Sequence, residues 1–123
     1  MELSTEINTE KKILTIHVLG KYNRLKDGNS AQNFVIETFK DHGCRKILLD
    51  LTKAYIISDK LSSFELANPN PDVSAELRKF KFAAVYDTIS QDIYFFETVA
   101  SNRGLTFKAF ETKGQAIEWL EGK

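Results

Sequence analysis

The segment Lys46-Ile47-Leu48-Leu49-Asp50-Leu51 constrains the chain more than any other. Side chains alternate between the two faces of a strand, and this run is apolar on both, so it reads as a central strand that needs cover on each side. An amphipathic helix precedes it. Ala31, Phe34, Val35, Thr38, Phe39 and His42 recur at helical spacing, with Asn29 or Ser30 to cap the start and Gly43 to end it. A helix between two strands makes parallel pairing natural, and the fold class is α/β with a mixed, mostly parallel sheet.

Upstream, Leu3 to Ile7 and Ile13 to Leu19 flank a polar stretch and predict a hairpin with the first run as an edge strand. Leu14, Ile16 and Val18 share one face, Thr15 and His17 the other, and Gly20 is expected to end the strand. Downstream, a helix is expected over 58–67, until Asn68-Pro69-Asn70-Pro71 stops it. Pro71 then opens a short helix running through Leu77. Phe80 to Tyr86 is the next strand, and Thr88 with Gln91 has the spacing of a capping box, so a helix is expected just after Asp87. Leu105 to Phe110 alternates as the last strand, and Thr112 with Gln115 repeats the capping spacing before a final helix. The order is ββαβα(α)βαβα, with four to five helices in one domain spanning 1–123.

With 17 basic side chains against 17 acidic ones, the chain has no net charge, which disfavours binding driven by phosphate neutralisation. Nucleic acid is therefore not an expected partner. The chain's only cysteine, Cys44, cannot pair internally, the first residues lack a signal-peptide pattern, and no apolar run is long enough for a membrane span. The expectation is a cytoplasmic protein with no cofactor.

This arrangement resembles a small STAS-like domain, the fold of bacterial anti-sigma-factor antagonists, which is also similar to the smallest core of CRAL-TRIO lipid-transfer domains. The resemblance rests on Ile47-Leu48-Leu49-Asp50-Leu51 before a helix at Ser58, on Phe82-Ala83-Ala84-Val85-Tyr86-Asp87, and on Phe107-Lys108-Ala109-Phe110-Glu111 running into Ala116-Ile117-Glu118-Trp119-Leu120. It covers nearly the whole chain and implies a STAS-like βα superhelix. Phosphorylated antagonists carry their switched hydroxyl in an Asp-Ser-Ser/Thr-Gly turn at the start of the second helix. The corresponding stretch here is Ile57-Ser58-Asp59-Lys60-Leu61, so Lys60 stands where the hydroxyl belongs and Leu61 replaces the glycine. Ser58 serves as a phosphorylation site only after a shift in register. The resemblance thus implies a binding module more than a switch.

Ligand sites of open α/β folds gather at the carboxyl edge of the strands. The partner- or ligand-binding residues expected there are Tyr22, Arg24, Ser58, Asp59, Lys60, Asp87 and Thr88, with Lys26, Glu111, Thr112 and Lys113 nearby. Backbone N–H groups at the helix starts suit an anion or a partner's carboxylate. The bland alternative is ordinary caps and solvated turns. His17 reads as a half-exposed sheet residue and His42 as a helix C-terminal cation; their separation excludes a zinc site, and no Ser-His-Asp arrangement is expected. Tyr94, Phe95 and Phe96 are consecutive on a helix, about 100° apart, so one ring should be partly exposed. It either joins a protein contact or is a tyrosine turning its hydroxyl to water.

Two functions follow. The first is a non-enzymatic, STAS-like regulatory module that binds a protein partner or forms a homodimer. The alternative is a binding protein for a small anionic or apolar ligand, such as a lipid fragment, in an apolar pocket at the carboxyl edge covered by Asn68-Pro69-Asn70-Pro71.

Overall fold

The computed structural model describes residues 2–23, 27, 30, 33–38, 43–57 and 71–122. Strands β1 (Glu2–Asn8) and β2 (Ile13–Asn23) form the expected antiparallel hairpin, with Glu2 opposite Leu19 and Asn8 opposite Ile13. Lys12 turns the hairpin at a φ of 57°. Residues 33–38 are helical (α1), and β3 (Lys46–Asp50) returns parallel to β2. Then come β4 (Ala54–Ile57), α2 (Pro71–Leu77), β5 (Lys81–Val85), α3 (Gln91–Asn102), β6 (Thr106–Phe110) and α4 (Lys113–Leu120). The main path of the sheet is β1-β2-β3-β5-β6, antiparallel only at the hairpin, with β4 joined to β2.

The double cover demanded by the central strand is present. Ile47 faces a large core with Leu14, Ile16, Val18, Val35, Phe82, Ala84, Ile93 and Phe96, while Leu48 faces a second core with Ile13, Ala83, Val85, Ala116 and Leu120. Both leucine-type neighbours, Ile47 and Leu48, are fully buried. Helices α1 and α3 thus supply the large core, and α4 supplies the smaller one. Within α1, Val35 is the buried residue, with Ile36 partly buried beside Phe34; Ala31, Phe39 and His42 lie outside the described residues.

Three boundaries differ from the expectation. Gly20 does not end β2. Its φ of +82° instead turns the strand where it changes partner, from β3 at Ile13 to His17 to β4 at Gly20 to Asn23. Strand β4 itself was not anticipated: Ile57, expected at the entry of a helix, is its last residue. It continues the line of β3 after a turn at Thr52 and Lys53, with the register against β2 moved by one residue. Finally, α3 is capped by Ser90, whose hydroxyl accepts from the Ile93 N–H at 3.3 Å, so Thr88 is not the cap. The second capping expectation holds, with the Thr112 hydroxyl accepting from the Gln115 N–H at 3.3 Å. The helix expected over 58–67 lies outside the described residues.

Candidate functional site

Because β2, β3, β5 and β6 run parallel, their carboxyl ends share one border of the sheet. Asp87 and Thr88 are exposed there after β5, and Glu111, Thr112 and Lys113 are exposed after β6. Tyr22 departs from the expectation. The prolonged β2 carries it into the sheet opposite Ile56, and it is buried in the large core instead of standing exposed on the rim. Arg24, Ser58, Asp59 and Lys60 lie outside the described residues, as do Lys26 and the cover segment 68–70.

The most organised polar cluster among the described residues lies on the outer face of the hairpin, where α4 does not reach. Strand register builds it: Ser4 of β1 pairs with His17 of β2, and His17 pairs with Asp50 of β3, so all three side chains leave the same face. His17 Nδ1 lies 3.0 Å from Asp50 Oδ2, and its Nε2 lies 3.2 Å from Glu6 Oε1. The other carboxylate oxygen of Asp50 accepts the Thr52 N–H at 3.1 Å and the Thr52 hydroxyl at 2.7 Å. That local turn, an aspartate accepting from the residue two positions on, also accommodates the extra residue between β3 and β4.

Burial pushes the Asp50 carboxyl up, but the hydroxyl and N–H of Thr52 together with the His17 ring outweigh it, and the group sits below its ordinary value. Asp50 is therefore ionised across the neutral range and oriented from both sides. Ser4, Glu6, His17, Val18, Leu19, Asp50 and Lys53 line a small cavity of about 250 Å³.

The topology thus brings a serine, a histidine and an aspartate onto adjacent strands, and His17 is the half-exposed sheet residue expected, with a carboxylate at each ring nitrogen. It still does not assemble an acyl-transfer triad. His17 Nε2, the nitrogen that would take a proton from a nucleophile, faces the Glu6 carboxylate, and Ser4 makes no hydrogen bond to the ring. The cluster escaped the sequence reading because it depends on a pairing register: residues 6, 17 and 50 carry no motif. The available signal was that His17 and Asp50 each break an apolar strand at its carboxyl half.

Elsewhere, Tyr94 is 53% exposed while Phe96 is buried and Phe95 is intermediate, so one of the three consecutive rings does reach solvent. The Trp119 indole is partly buried against the smaller core, packing on Phe110 and under the Lys81 ammonium. Cys44 is buried in the large core. A groove of about 510 Å³ runs beside β6, lined mainly by polar side chains including Glu97, Ser101, Asn102 and Lys108. The cover segment of the ligand-binding alternative, Asn68-Pro69-Asn70, lies outside the described residues. No group of metal-ligating side chains occurs among the described residues, and no described helix is long and apolar enough to cross a membrane.

No protein-family model matches the chain, and no curated protein matches it in sequence. Solved structures do. The unphosphorylated anti-sigma factor antagonist SpoIIAA superposes with a TM-score of 0.58 at 11% identity, covering 99% of this chain and 100% of that one. The chain has a STAS-like fold. An uncharacterized protein of the DUF3478 family from Shewanella loihica, itself described as SpoIIAA-like in fold, gives 0.58 at 17% identity over 97% of this chain and 92% of its own. The phosphorylated form of Bacillus SpoIIAA, a cell fate determinant, gives 0.55 at 11% identity over 97% of this chain and 99% of that one. The likeness spans this STAS-like chain from hairpin to final helix, so the hairpin and the central strand inferred from sequence belong to one continuous fold.

Proposed function

We propose that this chain is a cytoplasmic, non-enzymatic regulatory module that acts by docking a protein partner, or a second copy of itself, on the carboxyl border of its sheet. The observation that carries the reading is the full-length likeness to SpoIIAA, a protein described by its antagonism of another protein. Exposed polar residues at the same border, Asp87, Thr88, Glu111, Thr112 and Lys113, support it, because a polar rim confers partner selectivity through hydrogen bonds and charge.

In this reading Arg24, Ser58, Asp59 and Lys60 extend that border, and Asp59 and Lys60 supply polar specificity. Ser58 is the hydroxyl proposed for phosphorylation. A phosphate there would add nearly two negative charges beside Asp59, opposing any partner selected for the unmodified surface.

The test uses the full chain as bait in extract from its source cells, followed by binding measurements between the purified partner and bait. Changing Asp59 and Lys60 together to Ala is expected to weaken that binding at least about ten-fold, about 1.4 kcal/mol. Sedimentation of both forms alone checks the second-copy case. Equal affinity of both forms for the partner, with no change in self-association, overturns the assignment of this surface.

A further inference from the structure

The His17 ring touches a carboxylate with each of its nitrogens, one on either neighbouring strand. A neutral imidazole has a single N–H, so it can donate to only one of them. The other nitrogen then presents a lone pair to a carboxylate oxygen. Both contacts are attractive only when the ring carries two protons. The charged groups facing the ring are Glu6 and Glu2 on β1, Asp50 on β3 and Lys53 in the following turn, with Thr15 and Leu19 its same-face neighbours on β2.

From this geometry we infer that His17 is a proton-operated latch that ties the edge strand β1 to β3 across β2. In the doubly protonated ring, Nδ1–H donates to Asp50 and Nε2–H donates to Glu6, spanning three strands. On loss of one proton, the ring keeps the N–H facing Asp50. That carboxylate is 18% exposed and held by Thr52, whereas Glu6 is 72% exposed and has water as an alternative partner. Glu6 is released, and β1 retains its backbone ladder with β2 and the packing of Leu3 and Ile7. β1 is an edge strand whose apolar contribution is confined to Leu3 and Ile7, so one side-chain tie is a substantial part of its attachment. Opening it would uncover the backbone edge of β2, a surface able to pair with another strand.

The inference is independent of the partner-docking proposal, because it concerns the hairpin face and is read without any partner present. The test is nitrogen NMR of the labelled full chain from about pH 5 to 9, the range in which histidine ordinarily titrates, combined with amide-exchange protection of β1. The expected result is that Nε2 loses its proton while Nδ1 keeps it. Over the same titration, protection factors of the β1 amides should fall about two- to five-fold relative to those of β5, as for a partly exposed ion pair. Glu6→Gln supplies the control. Its amide donates to a neutral Nε2 and its carbonyl accepts from a protonated one, so β1 protection should no longer follow the ring. Glu6 is largely exposed, which keeps the variant folded. Flat β1 protection in the unaltered protein, an equal fall in Glu6→Gln, or first loss of the proton from Nδ1 each overturns the latch.

Discussion

Replacing Asp50 by Asn removes a charge while keeping the shape, and its consequences can be worked from three contacts. Thr52 donates to one oxygen through its hydroxyl at 2.7 Å and its N–H at 3.1 Å, and His17 Nδ1 lies 3.0 Å from the other. The asparagine carbonyl can keep both Thr52 bonds, but without the charge each weakens to about half, a loss of about 1 kcal/mol for the pair. Its NH₂ then faces His17 Nδ1, which can accept it only in the tautomer that carries the N–H on Nε2, so a charge-assisted bond is exchanged for a neutral one at a loss of about 1 kcal/mol more. The total is about 2 kcal/mol, or a fall in Tm of about 8 °C for a domain of this length.

The pH dependence has a definite sign. The folded carboxyl lies below its ordinary value, so around and below pH 4 the unfolded chain binds more protons than the folded one. The stabilisation is complete above the unfolded value of about 3.9 and disappears as pH falls through the lower folded value. Urea unfolding of both proteins at neutral pH and near pH 3 is the assay, provided both remain folded at the lower pH without denaturant. The gap of about 2 kcal/mol should narrow on acidification. A gap that is absent at neutral pH, or unchanged in acid, refutes the account of Asp50.

Two further substitutions test the architecture. Ser90→Ala should cost about 1 kcal/mol in equilibrium unfolding because it orphans the Ile93 N–H, whereas Thr88→Ala should stay within about 0.5 kcal/mol; the reverse order would restore Thr88 as the cap. Leu48→Ala should cost about 3 kcal/mol by opening a cavity between the central strand and α4, measured by the urea midpoint at unchanged slope. A cost below about 1 kcal/mol would mean that the second core is not closed over β3.

Much of the fold was legible because it follows from local spacing. The alternation of Leu14, Ile16 and Val18, the two-sided run at Ile47 and Leu48, and the proline at the start of α2 each report on their own neighbourhood. The capping at Thr112 is equally local, and it was read correctly. At α3 two hydroxyls competed for the same role, and the helix starts at the later one because Tyr86, Asp87 and Thr88 are spent on leaving the sheet and turning. The candidate rim was legible as a border, since parallel strands place their ends together, and its described residues Asp87 and Thr88 are indeed exposed there.

The amino-acid sequence by itself determined the α/β class, the hairpin, the central strand and the border where helices begin, because hydrophobic period and turn chemistry act over a few residues. Only the tertiary structure decided that Gly20 redirects a strand, that Tyr22 is core, and that Glu6, His17 and Asp50 meet. These outcomes depend on which residues of different strands stand opposite each other, and that register is chosen by the packing of the whole sheet rather than by any one strand.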